Sequence, residues 1–202
     1  MRKTLAIPAL AALGLAGPVL AGDFSYNTLE LGLIGDSIDD PHGSEDLDGS
    51  GISVSGSWAL SPNLFAFGGV SGTDYEYRHY DDNFNASQWQ AGVGFNFPLS
   101  PQLDLVSGIS LQHLRLDNDR DELDESGYGL KAGLRGLLGR RLEWTAGLNY
   151  VDYGNGDNDT SWTAGFRYYF TRLFAVGVDV GSTDSNEANV LLAFRWDFGN
   201  RR

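Results

Sequence analysis

Residues 88–111, QWQAGVGFNFPLSPQLDLVSGISL, decide the fold that this sequence predicts. Between Trp89 and Phe97 every second residue is apolar, and the residues that separate them are glycine, glutamine or asparagine. That alternation is the period of a β-strand, whose successive side chains point to opposite faces. Pro101 interrupts the pattern, which resumes at Leu103. Each half is close to the about 9–11 residues that a tilted strand needs to cross a bilayer, so the stretch predicts a transmembrane β-hairpin.

The alternation recurs along the rest of the chain and predicts ten strands. Tight connections alternate with longer ones, and short periplasmic turns with longer external loops are typical of outer-membrane barrels. We therefore predict an all-β fold, an antiparallel up-and-down transmembrane β-barrel of ten strands, with eight strands as the alternative. The tight turns are expected at Ser61–Asn63, Ser100–Gln102, Gly139–Arg141 and Thr171–Arg172, and the loops at Asp36–Ser50, Arg78–Ser87, Asp117–Ser126, Asp152–Asp159 and Ser182–Glu187.

The segment Leu64–Tyr77 alternates less regularly than the others. We expect its aromatic residues to face lipid, because that orientation turns Asp74 and Glu76 into the lumen. The opposite orientation remains open at this point. The aromatic residues concerned are Phe65, Phe67, Tyr75 and Tyr77.

The face opposite to the apolar rows carries charged residues in mid-strand, separated by glycines. Isolated charges in a narrow lumen would be costly, so we expect a paired network there. Side chains fill the interior of an eight-stranded barrel, whereas about 16–18 strands leave an aqueous channel, so ten strands favour a closed or very narrow lumen. The network is expected from Glu30, Asp104, Lys131, Arg135, Glu143, Arg167, Asp179 and Arg195.

All the tryptophans fall on the face that we assign to lipid, most of them near strand ends. Amphipathic rings settle at the level of the lipid headgroups, so these residues predict an aromatic girdle. A soluble β-sandwich would bury the rings in its core, but it does not account for the charged opposite face. The girdle consists of Trp58, Trp89, Trp144, Trp162 and Trp196.

The beginning of the chain predicts a secretory signal peptide. A basic start and an apolar run, Arg2–Leu15, are followed by small residues up to Ala21. We expect residues 1–21 to be removed and residues 22–202 to form one outer-membrane barrel domain. The chain has no cysteine, which suits an exported protein. Its formal net charge of −13 argues against binding to nucleic acid.

The sequence resembles the small outer-membrane β-barrel proteins of Gram-negative bacteria, the OmpA/OmpX-like group. The resemblance rests on the signal peptide, on GDFSYN at residues 22–27 and on ANVLLAFRWDF at residues 188–198. It implies a cell outer-membrane location, with lipid and lipopolysaccharide as the surroundings. It also implies that Phe194, Trp196 and Phe198 form the signal read by the barrel-assembly machinery. Residues 199–202 follow here, whereas the family usually ends on the aromatic residue itself.

The predicted loops are acidic, and one of them contains candidate ligands for divalent cations. Asp117, Asp119 and Asp121 alternate in the manner of the start of an EF-hand loop, and Ca²⁺ binds clusters of such oxygens. The loop lacks the glycine and the closing glutamate of that motif, so the alternative is a solvated acidic rim. No firm metal site and no cofactor follow from the sequence.

The residues for catalysis are few. The histidines are His42, His79 and His113, and His79 lies close to Asp81 and Asp82, with which it could form an acid–base pair. Nothing in the sequence brings a nucleophile to an oriented base. We therefore expect a non-enzymatic outer-membrane barrel with a structural and interfacial role through its acidic extracellular loops. The alternatives are a narrow porin-like channel for small ions or solutes and a hydrolase at the barrel rim.

Overall fold

The computed structural model describes residues 24–38, 47–77, 83–118, 122–154, 158–183 and 187–198. Each strand pairs antiparallel with its neighbours in the chain, and β1 pairs with β10 to close the barrel. The predicted ten-stranded up-and-down barrel is confirmed, and the alternative of eight strands is wrong. The strands are β1 (Thr28–Ile38), β2 (Leu47–Ala59), β3 (Leu64–Tyr77), β4 (Asn83–Ser100), β5 (Leu103–Asn118), β6 (Glu122–Leu138), β7 (Leu142–Asp152), β8 (Asn158–Tyr169), β9 (Phe174–Thr183) and β10 (Glu187–Asp197).

The apolar rows cover the outside of the barrel. Ile52 is 65% exposed and Leu111 is 63% exposed, whereas Arg135 and Arg167 are buried inside. This arrangement is the reverse of a soluble protein, in which charged residues are almost never fully buried unless they are paired. The soluble sandwich is therefore excluded as a description of the fold. No helix in the described ranges is long and apolar enough to span a membrane.

Strand β3 has the opposite orientation to the one we expected. Phe65 and Tyr75 are fully buried in the lumen, while Asp74 and Glu76 are exposed outside. The reason lies on the neighbouring strand, because a Cβ placed on Gly94 would overlap the ring of Phe65. Glycine on β4 thus makes the room that aromatic rings need inside the barrel. Phe67 also lies inside, and the side chain of Tyr77 is outside the described part of the structure.

The tight connections at one end, the turn end, follow the prediction. They consist of residues 60–63, 101–102, 139–141 and 170–173. Gly139 has φ of +72°, a left-handed conformation that glycine adopts without steric cost. The connections at the other end, the loop end, are shorter than predicted because the strands extend further. For example, β5 and β6 pair as far as Asp117 and Glu122, so most of the predicted loop 117–126 is strand.

The strand extensions at the loop end explain why the predicted loops are longer than the observed connections. Ile109 and Leu111 of β5 point outward, but Leu114 and Leu116 further along the strand are buried inside. Where the strand extends beyond the lipid, its outer face meets water. The apolar residues of the extension therefore point into the lumen instead of outward. In the sequence, this switch of the apolar residues from the outer to the inner face looks like the end of the alternation, although the strand continues.

In the described ranges the lumen contains three apolar clusters, two of which lie at its ends. The turn-end cluster includes residues 24–26, which precede β1 and fold into the barrel. Between the two end clusters lie polar and charged side chains and a third, smaller apolar cluster of Ile34, Leu191 and Ala193 on β1 and β10. The turn-end cluster is Phe24, Tyr26, Phe65 and Val106, with Phe67 and Leu137 packed against it. The loop-end cluster is Tyr75, Phe84, Ala86, Leu114, Leu116, Val151 and Tyr153.

Candidate functional site: the lumen

A continuous series of ion pairs crosses the middle of the lumen. It joins six side chains from six consecutive strands of the closed barrel, β6 to β10 and β1. We call it the ion-pair ladder. In order, its members are Asp179, Arg167, Glu30, Arg195, Glu143 and Arg135.

Arg167 on β8 holds two carboxylates at once. Its Nε and Nη2 donate to Glu30 Oε2 and Oε1 at 2.9 and 3.0 Å. Its Nη1 and Nη2 donate to Asp179 Oδ1 and Oδ2 at 3.0 and 2.8 Å. Both pairs use the planar fork of the guanidinium, which matches the geometry of a carboxylate and gives strong hydrogen bonds. Arg167 thereby fixes β1 and β9 relative to β8.

Arg195 on β10 extends the ladder to the remaining members. Its Nε donates to Glu30 Oε2 and its Nη1 donates to Glu143 Oε1, both at 2.8 Å. Glu143 also accepts a hydrogen bond from Arg135 Nη2 at 2.7 Å and one from the Tyr169 hydroxyl at 3.2 Å. Each carboxylate of the ladder except Asp179 therefore bridges two arginines.

The ladder balances its own charge. Three guanidinium groups meet three carboxylates, and all six residues are at most 7% exposed. Taking charges out of water is costly, and the attraction between them compensates only when geometry and hydrogen bonds are favourable. Removing one member would therefore leave uncompensated charge in the lumen.

The segment before β1 attaches to the ladder at the turn end. Arg135 Nη1 donates to the backbone oxygen of Ser25 at 2.9 Å, and its guanidinium lies 4.6 Å from the centroid of the Tyr26 ring. The Tyr26 hydroxyl donates to Asp104 Oδ2 at 3.1 Å. Burial raises the pKa of the Tyr26 phenol, so the group stays a neutral donor. Our sequence reasoning missed this role, because residues 24–27 lie outside any predicted strand.

Two residues of the expected lumen network lie inside the barrel but outside the ladder. Asp104 accepts hydrogen bonds from Tyr26 and from Asn96 Nδ2, the latter at 3.3 Å. Lys131 places its Nζ 3.2 Å from the centroid of the Phe67 ring. Within the described ranges, no carboxylate lies within ion-pair distance of Lys131.

The aromatic residues of the outer face form contacts at both ends of the barrel. Trp196 and Phe198 pack against each other at the turn end with ring centroids 5.4 Å apart, and Trp58 packs on Phe198 at 5.6 Å. Trp89 stacks on His113 at 5.5 Å towards the loop end. The other outward rings include Phe194, Trp144 and Trp162.

The remaining candidates lie on the outer face or outside the described residues. Asp117 is exposed on β5, with Oδ2 3.7 Å from Arg115 Nη2. His113 Nδ1 lies 3.0 Å from Ser126 Oγ and 3.5 Å from Asp124 Oδ1. The candidates outside the described residues are Asp119, Asp121, His42, His79, Asp81 and Asp82.

Charge is distributed unequally between the two ends of the outer surface. Carboxylates are exposed on the strand extensions at the loop end, and we call this set the acidic collar. Arginines are exposed in the connections of the turn end, at Arg140, Arg141 and Arg172. The acidic collar consists of Asp48, Asp74, Glu76, Asp117 and Asp124.

Comparison with known proteins agrees with this geometry. Over residues 6–192 the chain matches the family described as outer membrane protein beta-barrel domain. The translocator domain of autotransporter NalP from Neisseria meningitidis is similar in structure, with a TM-score of 0.53, 11% identity and coverage of 85% of this chain and 87% of that one. The NanC porin has a TM-score of 0.52 and 8% identity, with coverage of 83% of this chain and 100% of that one.

At these identities the two structures support the fold alone. No curated protein matches the sequence. The family match spans most of the chain, and the fold is the closed antiparallel barrel by which such proteins cross the outer membrane. The chain therefore belongs to the outer membrane protein beta-barrel domain family and is an integral β-barrel of the Gram-negative outer membrane.

Proposed function

We propose that this protein is a closed, non-enzymatic barrel that stabilises the outer membrane through its outer surface. The observation that carries this proposal is the filled lumen. The ion-pair ladder spans six strands in mid-barrel, the turn-end cluster lies on one side of it and the loop-end cluster lies on the other. A solute would have to break buried ion pairs and displace packed aromatic rings to pass.

A narrow porin-like channel is the second candidate. The observation that favours it is a group of uncharged polar side chains between the ladder and the loop-end cluster, where Gln112 Nε2 donates to Gln90 Oε1 at 3.3 Å and to Ser110 Oγ at 3.0 Å. The similar NanC structure is described as a porin. Passage would still require an opening through the ladder, so we rank this candidate below the closed barrel.

A rim hydrolase is less well supported by the one cluster that has suitable residue types. In a Ser–His–Asp triad the imidazole uses one nitrogen for the serine and the other for the acid. Ser126 and Asp124 both meet Nδ1 of His113. The two partners compete for one nitrogen, so this cluster does not form a relay from acid to nucleophile.

The acidic collar is the surface through which we expect the protein to act. The asymmetry of turns and loops favours an extracellular loop end, at the level of the lipopolysaccharide headgroups. Carboxylates and headgroup phosphates repel each other unless a divalent cation bridges them, and carboxylate oxygens are ligands that Ca²⁺ and Mg²⁺ accept. We therefore propose lipopolysaccharide as the partner, through bridging divalent cations.

In the same proposal, the signal peptide is removed on export, and Phe194, Trp196 and Phe198 engage the barrel-assembly machinery.

Complementation of cells that lack the protein tests the role of the collar. We expect the deletion to increase sensitivity to detergent and to chelators, and the wild-type gene to restore resistance. A variant with Asp74→Asn, Glu76→Gln, Asp117→Asn and Asp124→Asn should fail to restore it, at equal amounts of folded barrel. A matched variant with Arg140→Gln, Arg141→Gln and Arg172→Gln should restore it. If the deletion leaves resistance unchanged, the protein does not stabilise the membrane.

A further inference from the structure

The loop-end half of the lumen contains buried polar atoms that have no protein partner. They are Asp36 Oδ1, Ser71 Oγ, Thr73 Oγ1, Gln88 Oε1 and Asn189 Nδ2, and each of these five residues is at most 8% exposed. Buried side-chain polar atoms have a partner in the large majority of cases. Five such atoms in the same half of the lumen therefore indicate an occupant, and we call the region around these five residues the upper chamber.

The strand register brings these residues towards one another. Ser71 on β3 lies directly opposite Gln88 on β4, and Thr73 follows Ser71 on the same face. Asn189 on β10 lies directly opposite Asp36 on β1. The two groups are connected by Tyr75, whose hydroxyl donates to Asp36 Oδ2 at 2.5 Å across β2.

Glycine at position 49 permits that connection. Asp36 pairs with Gly49 on β2, which in turn pairs with Tyr75 on β3. A Cβ on Gly49 would lie 2.6 Å from an atom of the Tyr75 ring, so only glycine lets the ring lie flat across β2. Gly49 thus allows the Tyr75 side chain on β3 to reach the Asp36 carboxylate on β1.

The chemistry of the upper chamber points to a cation. Four of the five unpartnered atoms are oxygens. Asp36 brings a negative charge, and among the described residues only the Tyr75 hydroxyl donates a hydrogen bond to its carboxylate. The arginines of the ladder are engaged with Glu30, Glu143 and Asp179. An isolated ionised carboxylate is costly to bury, and hard cations prefer oxygen ligands. Among the five residues that hold the unpartnered atoms, one carboxylate and three neutral oxygens match a single positive charge.

We propose that the upper chamber binds a monovalent cation, with Asp36 as its charge partner. Ser71, Thr73 and Gln88 supply neutral oxygens, directly or through water, and the Asn189 amide donates to water in the hydration shell of the ion. The site lies between the ladder and the loop-end cluster, so it does not depend on the acidic collar or on lipopolysaccharide.

Anomalous diffraction from wild-type crystals grown in thallium(I) or rubidium salt locates such an ion directly. We expect an anomalous peak inside the barrel, within coordination distance of Asp36 and of at least one of Ser71, Thr73 and Gln88. Ordered water without an anomalous peak in the chamber would overturn the proposal. This experiment needs no variant, so it decides the question even if substitutions in the chamber prevent folding.

Thermal unfolding in micelles provides the matched solution test. In sodium chloride the wild-type midpoint should be about 2–4 °C higher than in N-methyl-D-glucamine chloride of equal ionic strength, because an ion that binds only the folded state stabilises it. Asp36→Asn should abolish the difference. Asp74→Asn, which removes the same charge from the exposed face of β3, should retain it. A wild-type protein that is indifferent to the cation, or an equal difference in Asp36→Asn, would contradict the site.

Discussion

Glu30 on β1 and Arg195 on β10 face each other directly across the seam at which the barrel closes. They are register partners, and Arg195 Nε donates to Glu30 Oε2 at 2.8 Å. Glu30 is also held by Arg167 from β8. The first and last strands are therefore joined by buried charge as well as by backbone hydrogen bonds, and Glu30, like Glu143, is shared by two arginines.

Substitution Glu30→Gln should destabilise the barrel strongly. It removes the carboxylate shared by Arg167 and Arg195, and breaking a buried pair from one side typically costs about 3–5 kcal/mol. Urea unfolding of the protein in micelles, followed by tryptophan fluorescence, measures the free energy of unfolding. The control is Glu76→Gln on the exposed face of β3, which should change it by less than about 0.5 kcal/mol. Equal effects of the two substitutions would contradict the role of the ladder.

Replacement of Lys131 should change the free energy of unfolding in the opposite direction. Lys131 contacts the Phe67 ring but no carboxylate of the described structure, so Lys131→Met removes a half-buried charge from the lumen and keeps the length of the side chain. Loss of the cation–π contact costs about 0.5–2 kcal/mol, and relief of the desolvation penalty exceeds it. We expect the free energy of unfolding to rise by about 1 kcal/mol in the same urea titration. Arg135→Met, which leaves Glu143 without one partner, should lower it instead.

The packing of Phe65 against β4 predicts a marked difference between two glycines. A methyl group on Gly94 would overlap the Phe65 ring, whereas one on Gly72 would meet no atom within 4 Å. Overpacking of a tight interior typically costs about 1–3 kcal/mol, so Gly94→Ala should lower stability by that amount. Gly72→Ala should be close to neutral. A neutral Gly94→Ala would show that Phe65 does not lie inside the barrel.

The orientation of β3 can be tested by labelling, since the chain has no cysteine of its own. A spin label at Val70, which is 54% exposed, should be accessible to oxygen dissolved in the lipid. A label at Ser71, which faces the lumen, should be protected from it. The reverse result would restore the orientation in which Phe65 and Tyr75 point to lipid.

The strand count and the lipid-facing rows could be predicted because the alternation of residues such as Leu29, Leu31 and Leu33 directly reflects the two faces of a strand. All six members of the ladder belong to the set expected in the lumen. Their pairing could not be predicted, because Arg167 reaches Glu30 from β8 to β1 and that contact depends on the stagger of the closed barrel.

Two other features depend on neighbours that a single strand does not reveal. The orientation of β3 is decided by Gly94 on β4, which admits the Phe65 ring. The role of Tyr26 depends on Arg135 and Asp104, which lie far away in the sequence but surround the turn end of the lumen. Neither contact leaves a periodic signal in the residues concerned.

Single-channel recording in planar bilayers tests the central claim of a closed lumen most directly. The purified barrel, inserted in its folded form, should give a baseline current without steady openings, because the ladder, the turn-end cluster and the loop-end cluster block the path. Retention of the folded form, checked by its heat-modifiable migration on gels, confirms that an intact barrel was recorded. Steady and large openings from such protein would contradict the account and establish the porin-like channel in its place.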